Sequence, residues 1–265
     1  MKTALTIAGS DPSGCTGAQA DLKTFTVLGT FGMAVITTVT VQNTTGVKES
    51  SELDAQLVAR QIDAAAGDIQ VDACKTGMLA NVEIVEAVED AIGRNQLQPY
   101  VLDPVMTSHT GGVVLHADAV GAIKKKLFPR ATVVTPNLAE TAELVGVEEI
   151  QPTVPSAKDA AKRMIGLGAK AVVIKGLPVN DQTVDLFFDG REFLEFVGKT
   201  QPKEKSHGAG SAFSAAITAG LANRLSLVDA IDQAKNLVTM AIQYSDGQGR
   251  GTAPVNVLAF APKKK

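Results

Sequence analysis

Tyr100-Val101-Leu102 runs into Asp103-Pro104, Thr132-Val133-Val134-Thr135 into Pro136-Asn137, and Ala171-Val172-Val173-Ile174 into Lys175-Gly176. Each is a short, largely apolar run that stops at a polar residue or a proline. Such runs predict strands buried on both faces, as in a parallel sheet. Helical patterns lie between them, at Ala117–Leu127, Leu138–Val145 and Ala157–Leu167. The same alternation extends toward the amino terminus. Strands are predicted at Leu5–Ala8, Ala34–Val41 and Ala73–Thr76, and helices at Ala18–Leu28, Leu53–Ala66 and Val82–Ile92. Beyond Lys175, Thr183–Phe188 and Glu192–Val197 flank Asp189-Gly190, a hairpin signature. Two helices close the chain, Gly208–Ala222 and Leu227–Tyr244. The expected class is α/β, one domain over 1–265, with a mainly parallel central sheet between helices on both faces. In such a sheet ligands bind beyond the carboxyl ends of the strands, so the polar residues just after the strands come first.

Composition narrows the function. The 265 residues carry a net charge of −3 and include no Trp and only two Tyr. That balance gives no basic footprint for nucleic acid and no aromatic platform for stacking bases. No run approaches a membrane span. Two cysteines, Cys15 and Cys74, exclude a disulfide framework and suit a cytoplasmic protein with free thiols. Lys263-Lys264-Lys265 reads as a solvated tail.

Four features could carry chemistry. His207-Gly208-Ala209-Gly210-Ser211 opens a helix of small residues. Its first amides lack helical partners, and the helix dipole favours an anion there. Close packing of a small-residue helix explains the same string, and no Lys-Ser/Thr follows to make a Walker loop. Asn137 and Glu140 stand three residues apart at a helix start. This suits a capping box, or an amide and a carboxylate beside a nucleotide-bound Mg²⁺. Lys175 ends a strand, where it could meet phosphate or simply be solvated. Asp103 precedes Pro104, a common turn start. Each is ordinary alone, but all four fall at carboxyl ends of strands or at a helix start.

Ala8-Gly9-Ser10-Asp11-Pro12-Ser13-Gly14, Gln19 to Phe25, Val41-Gln42-Asn43-Thr44, Lys75-Thr76-Gly77-Met78-Leu79, Asp103-Pro104-Val105-Met106, Thr135 to Glu140 and Ile174-Lys175-Gly176 occur in this order. Together they resemble the hydroxymethylpyrimidine/phosphomethylpyrimidine kinases of the ribokinase-like superfamily, across nearly the whole chain. A pyridoxal kinase branch shares these blocks. The resemblance implies a ribokinase-like fold with a small β lid or flap, and usually a homodimer. It implies transfer of the γ-phosphoryl of ATP, with Mg²⁺, to 4-amino-5-hydroxymethyl-2-methylpyrimidine and then to its monophosphate. It places Asp21, Gln42, Met78 and Val105 around the substrate, with Gln42 donating to and accepting from the aminopyrimidine edge. It places Asn137, Lys175 and Glu140 on the nucleotide, Asp103 and Glu140 near the metal, and Gly208, Ala209, Gly210 and Ser211 at the anion-holding turn. Val105 to Gly112 would form a mobile flap. Gln42 favours the pyrimidine branch, since the related pyridoxal kinases tend to place Met there.

The sequence departs from that pattern in three places. Ser211 stands where these kinases place a Cys thought to take the proton of the attacking hydroxyl. Ser108 replaces a second Cys of one branch, and Cys15-Thr16 replaces a more usual Gly-Ala. A serine hydroxyl has no basic form near neutrality. Either positioning carries the rate without a strong base, or His207 or His109 serves as base. Otherwise the chain binds its ligand without turning it over. The expectation is a working kinase that is slower than a Cys-bearing relative.

Overall fold

The computed structural model describes residues 1–107 and 115–261. Of the expected flap only Val105–Thr107 fall within them. Ser108, His109, Thr110, Gly111, Gly112 and the Lys263–Lys265 tail lie outside the described residues.

The chain runs β1 (Thr3–Ser10), α1 (Gly17–Val27), β2 (Phe31–Asn43), β3 (Gly46–Glu52), α2 (Ala55–Asp68), β4 (Ala73–Thr76), α3 (Val82–Arg94) and β5 (Tyr100–Leu102). There follow α4 (Ala119–Ala122), β6 (Val133–Val134), α5 (Leu138–Val145), α6 (Val154–Gly166), β7 (Val172–Val179), β8 (Gln182–Phe188), β9 (Phe193–Lys199), α7 (Ala209–Ala222) and α8 (Leu227–Gln243). The nine strands form one sheet in the order β3-β2-β1-β4-β5-β6-β7-β8-β9. β2, β1, β4, β5, β6 and β7 are mutually parallel, and β3, β8 and β9 add antiparallel edges. The expected α/β architecture is therefore present.

Alternation along the strands divides the core. Leu5, Ile7, Tyr100, Leu102 and Ile174 pack under α2 to α6. Val101, Val133 and Val173, with Ala4 and Ala73, pack under α1, α7 and α8. α7 buries Ala212, Ala215, Ala216 and Ala219 completely. A Cβ on its Gly220 would come within 2.8 Å of Ala230 on α8. Small side chains thus let α7 lie close to both the sheet and α8, and its first turn reaches the strand ends.

Four elements differ from expectation, the first being β7, which does not stop at Lys175 but runs on past a bulge to Val179. β3 (GVKESSE) is polar and largely exposed, so no apolar period announces it. It forms because Asn43 Oδ1 accepts from Thr45 N and Oγ1, closing a turn that returns the chain along β2. α6 begins at Val154 rather than Ala157, because Thr153 caps it and Pro155 suits a first turn. Past α4 the helix widens by one residue over Ile123–Leu127, where Phe128 N donates to Ile123 O.

Leu102 is fully buried at the end of β5, one residue before Asp103. Leu102→Ala is expected to lower unfolding free energy by about 2–5 kcal/mol in urea titrations.

Candidate active site

A cleft of about 890 Å³ opens where the parallel strands end. Its walls hold Asp21, Gln42, Met78, Asp103, Val105, Asn137, Glu140, Lys175 and Gly208 to Ser211. The residues expected around the substrate, the nucleotide, the metal and the anion-holding turn therefore lie on one cavity.

At one end, β5 delivers Asp103 and β7 delivers Lys175. Their side chains meet at 3.0 Å, the carboxylate 3 % and the lysine 13 % exposed. Asp103 Oδ2 also accepts from Ser214 on α7 at 2.9 Å. Burial works against the charge on Lys175. Asp103, Glu140 and Asp185 outweigh it and raise the ammonium above its ordinary range. Beside them Asn137 and Glu140 form a full capping box: Asn137 N donates to Glu140 Oε2 at 2.8 Å, and Glu140 N to Asn137 Oδ1 at 2.9 Å. Capping and a place on the cleft are thus both true of this pair. Burial first, then Asp103, push the Glu140 carboxyl up to about 7, against the pull of Lys175. Two buried carboxylates beside one ammonium form a hard oxygen set that suits a divalent cation such as Mg²⁺.

The start of α7 faces this pair. Gly208 has φ +85°, and a Cβ there would lie 1.9 Å from Cys15 O, so only glycine fits. Ala209 N donates to Ser206 O, and the first bond inside the helix runs from Ala212 N to Gly208 O. The amides of Gly210 and Ser211 fall between, without a carbonyl of the helix to bond. The expected anion cradle thus rests on these two, while Ala209 shapes the turn. A Cβ on Gly210 would sit 3.5 Å from Lys175 Nζ, so the lysine head lies against the cradle.

At the other end, Gln42 sits half-buried near the end of β2. Its Oε1 accepts from Thr40 Oγ1 at 3.2 Å, and its Nε2 donates to Asp11 Oδ2 at 3.3 Å and Thr16 Oγ1 at 3.4 Å. Both ends of the amide are oriented, which an idle strand-end side chain would not need. Met78 lies against Gly9, where a Cβ would meet its Sδ at 3.2 Å. Asp21 is fully buried beneath, bound by Lys75 at 2.8 Å and Thr6 at 2.6 Å. Burial holds its carboxyl above the usual range, although Lys75 pulls it down.

Asp11, Cys15 and His207 also gather behind the start of α7, with ligand atoms within 4.8 Å of one another. The Asp11 carboxylate is already taken by Ser13 N and Oγ, Cys15 N, Thr16 N and Oγ1, and Gln42. It clamps the 11–16 loop and has no lone pair left to hold a metal. His207 is 1 % exposed and lies on that side of the turn, away from the cleft lining. Of the two histidines offered as an alternative base, His207 is therefore not placed at the cleft: its backbone pairs with Pro254, and its ring lies beside Asp11 and Cys15.

Asp185 and Lys235 also line the cleft, and Ser214 supports Asp103 from behind, none of them having been expected. A charge inside Val184-Asp185-Leu186, otherwise apolar, was the available signal for Asp185. Ser214 and Lys235 carry none, since helices of ordinary composition bring them in.

A family profile described as Phosphomethylpyrimidine kinase matches residues 11–256. The chain belongs to that family. It is 39 % identical to a hydroxymethylpyrimidine/phosphomethylpyrimidine kinase of Bacillus subtilis, over 97 % of this chain and 95 % of that protein. The ADP complex of Bacillus subtilis pyridoxal kinase superposes with a TM-score of 0.90 at 38 % identity, covering 98 % of each chain. The phosphomethylpyrimidine kinase of Clostridium difficile superposes with a TM-score of 0.78 at 35 % identity, over 91 % of this chain and all of that one. The chain is thus a small-molecule kinase of the ribokinase-like superfamily, an activity that requires ATP and a divalent metal. No helix among the described residues is long and apolar enough to cross a membrane.

Two outcomes follow from this geometry. Gly208→Ala is expected to abolish ATP-dependent turnover and lower the melting temperature, since the added methyl meets Cys15 O. Glu140 holds its proton to a higher pH folded than unfolded, so between about 4.5 and 7 the folded state binds more protons. Its contribution to stability therefore falls as pH rises through that window. Glu140→Gln should flatten the decline in melting temperature over the same range, measured by calorimetry.

Proposed function

We propose that the chain phosphorylates 4-amino-5-hydroxymethyl-2-methylpyrimidine and then its monophosphate, using the γ-phosphoryl of ATP. The observation that supports this substrate is Gln42. Its amide lines the cleft and is oriented by Thr40, Asp11 and Thr16. The oxygen has a second lone pair open, and a ligand would take over an N–H from one of the long contacts, 3.3 Å to Asp11 or 3.4 Å to Thr16. An aminopyrimidine edge offers the matching acceptor and donor. Met78 and Val105 supply apolar walls for the ring, and Asp21 with Lys75 supports the floor.

In this reading the phosphates of ATP lie between Lys175 and the Gly210 and Ser211 amides, with Asn137 beside them. Mg²⁺ would offset phosphate charge, with Asp103 and Glu140 as the carboxylates facing it. The substrate hydroxyl oxygen forms a bond to the γ-phosphorus as the bond to the β-phosphate oxygen breaks; ADP leaves, and the hydroxyl proton passes to an oxygen of the transferred phosphoryl group or to water. A loose transition state makes little demand on a base, so the amides, Lys175 and correct aim carry the rate. Ser211 then serves chiefly through its amide.

A second reading, pyridoxal as the acceptor, is supported by the similarity to the Bacillus subtilis pyridoxal kinase. The two are separated by incubating the protein with Mg-ATP and each alcohol, followed by mass spectrometry. The pyrimidine is expected to give the monophosphate and then the pyrophosphate, with pyridoxal the poorer substrate. Ser211→Cys should raise turnover. ATP-independent binding of the pyrimidine with no product would show a binder instead of an enzyme and overturn the reading. Lys175→Met should raise the KM for ATP roughly ten- to hundredfold, the worth of a charge-assisted contact.

A further inference from the structure

Lys235 leaves α8 and crosses β9 at Gly198, where a Cβ would lie 2.8 Å from its Cε. Its Nζ donates to Thr183 O at 2.9 Å and pairs with Asp185 Oδ2 at 3.0 Å. Both side chains are less than a tenth exposed. Asp185 uses its other oxygen differently: Oδ1 accepts from Gly176 N at 2.8 Å. Gly176 follows Lys175 directly and has φ +80°. The register of β7 on β8 shifts between Ile174 and Leu177, so this is a bulge in the strand. A bulge re-aims the side chain next to it. Here that side chain is Lys175, which reaches Asp103 at 3.0 Å.

We propose that Asp185 and Lys235 are positioning residues for Lys175. Asp185 holds the amide of the bulge, and Lys235 holds Asp185 in place and balances its buried charge. The pair touches neither reacting group. It acts through the backbone by keeping Lys175 on the path of the phosphates. This inference rests on the reading of Lys175 as the cation that meets the nucleotide. The arrangement also explains Gly198, since any side chain there would obstruct the lysine stem.

Removing one charge alone would leave the other buried and unpaired, and the loss of stability would hide the positioning effect. Two neutral double variants avoid this. Asp185→Asn with Lys235→Met keeps an oxygen that can accept from Gly176 N. Asp185→Leu with Lys235→Met has similar bulk and no acceptor. The expected result is that the leucine pair raises the KM for ATP about tenfold or more, while the asparagine pair stays within about threefold of the starting protein. The KM for the alcohol should change less than about twofold in both. Crystal structures of the two variants give a readout that does not depend on turnover. Lys175 should leave Asp103 in the leucine pair and keep it in the asparagine pair. Equal ATP kinetics in the two folded variants, or Lys175 unmoved in both, overturns the proposal. Should the leucine pair fail to fold, Asp185→Ser with Lys235→Met replaces it, because serine is too short to reach the amide. A starting protein that binds no ATP by calorimetry would instead sink the nucleotide reading of Lys175, and the two structures would still decide whether the pair aims this side chain.

Discussion

Asp103 and Lys175 meet at 3.0 Å in a place that water hardly reaches. Two charges taken out of water cost several kcal/mol each unless other groups complete their shells. The surrounding structure does this. Ser214 on α7 donates to Asp103, Thr135 on the strand-to-helix link approaches it, and Glu140 and Asp185 add negative potential around the lysine. The ion pair therefore ties together β5, β7, α5 and α7, the elements that make one end of the cleft. An anion entering beside Lys175 would find an ammonium already oriented and amides of a helix start already aimed.

The far end follows a different logic. There the polar side chain on the cleft is neutral, the Gln42 amide, and the 11–16 loop holds it. Asp11 gathers five donors from the 11–16 segment and a sixth from Gln42. One carboxylate thereby couples the turn that packs against Gly208 to the Gln42 side chain on the cleft. The carbonyl of Cys15 in that same turn is what excludes any side chain at Gly208. Loop, helix start and the Gln42 amide are thus connected through one carboxylate. Ser211 sits in that helix start, and the chemistry available there is hydrogen bonding by an amide and a hydroxyl.

Much of the molecule was legible in the residues. The largely apolar runs before Asp103, Pro136 and Lys175 announced buried parallel strands, and the helix over Leu138–Val145 was announced by Pro136-Asn137 in front of it. The positions of Gln42, Met78, Asn137, Glu140 and Lys175 were legible through their family pattern. β3 was not, because its residues are polar and its strand conformation comes from pairing with β2. The placement of His207 was not, because a residue at a helix start can face either side of the turn.

The order of apolar and polar residues by itself determined that strands alternate with helices and that Asp103 and Asn137 come just after strands. Those are local properties, set by the two-residue period of a strand and the need to bury apolar side chains. Lys175, expected at a strand end, lies instead at a bulge inside β7. Only the tertiary structure decided that Lys175 meets Asp103 across 72 residues, and that Lys235 steadies Asp185 across 50. Side chains so far apart in the chain come together through the order of strands in the sheet and the close approach of helices packed on it, and no local pattern encodes that distance.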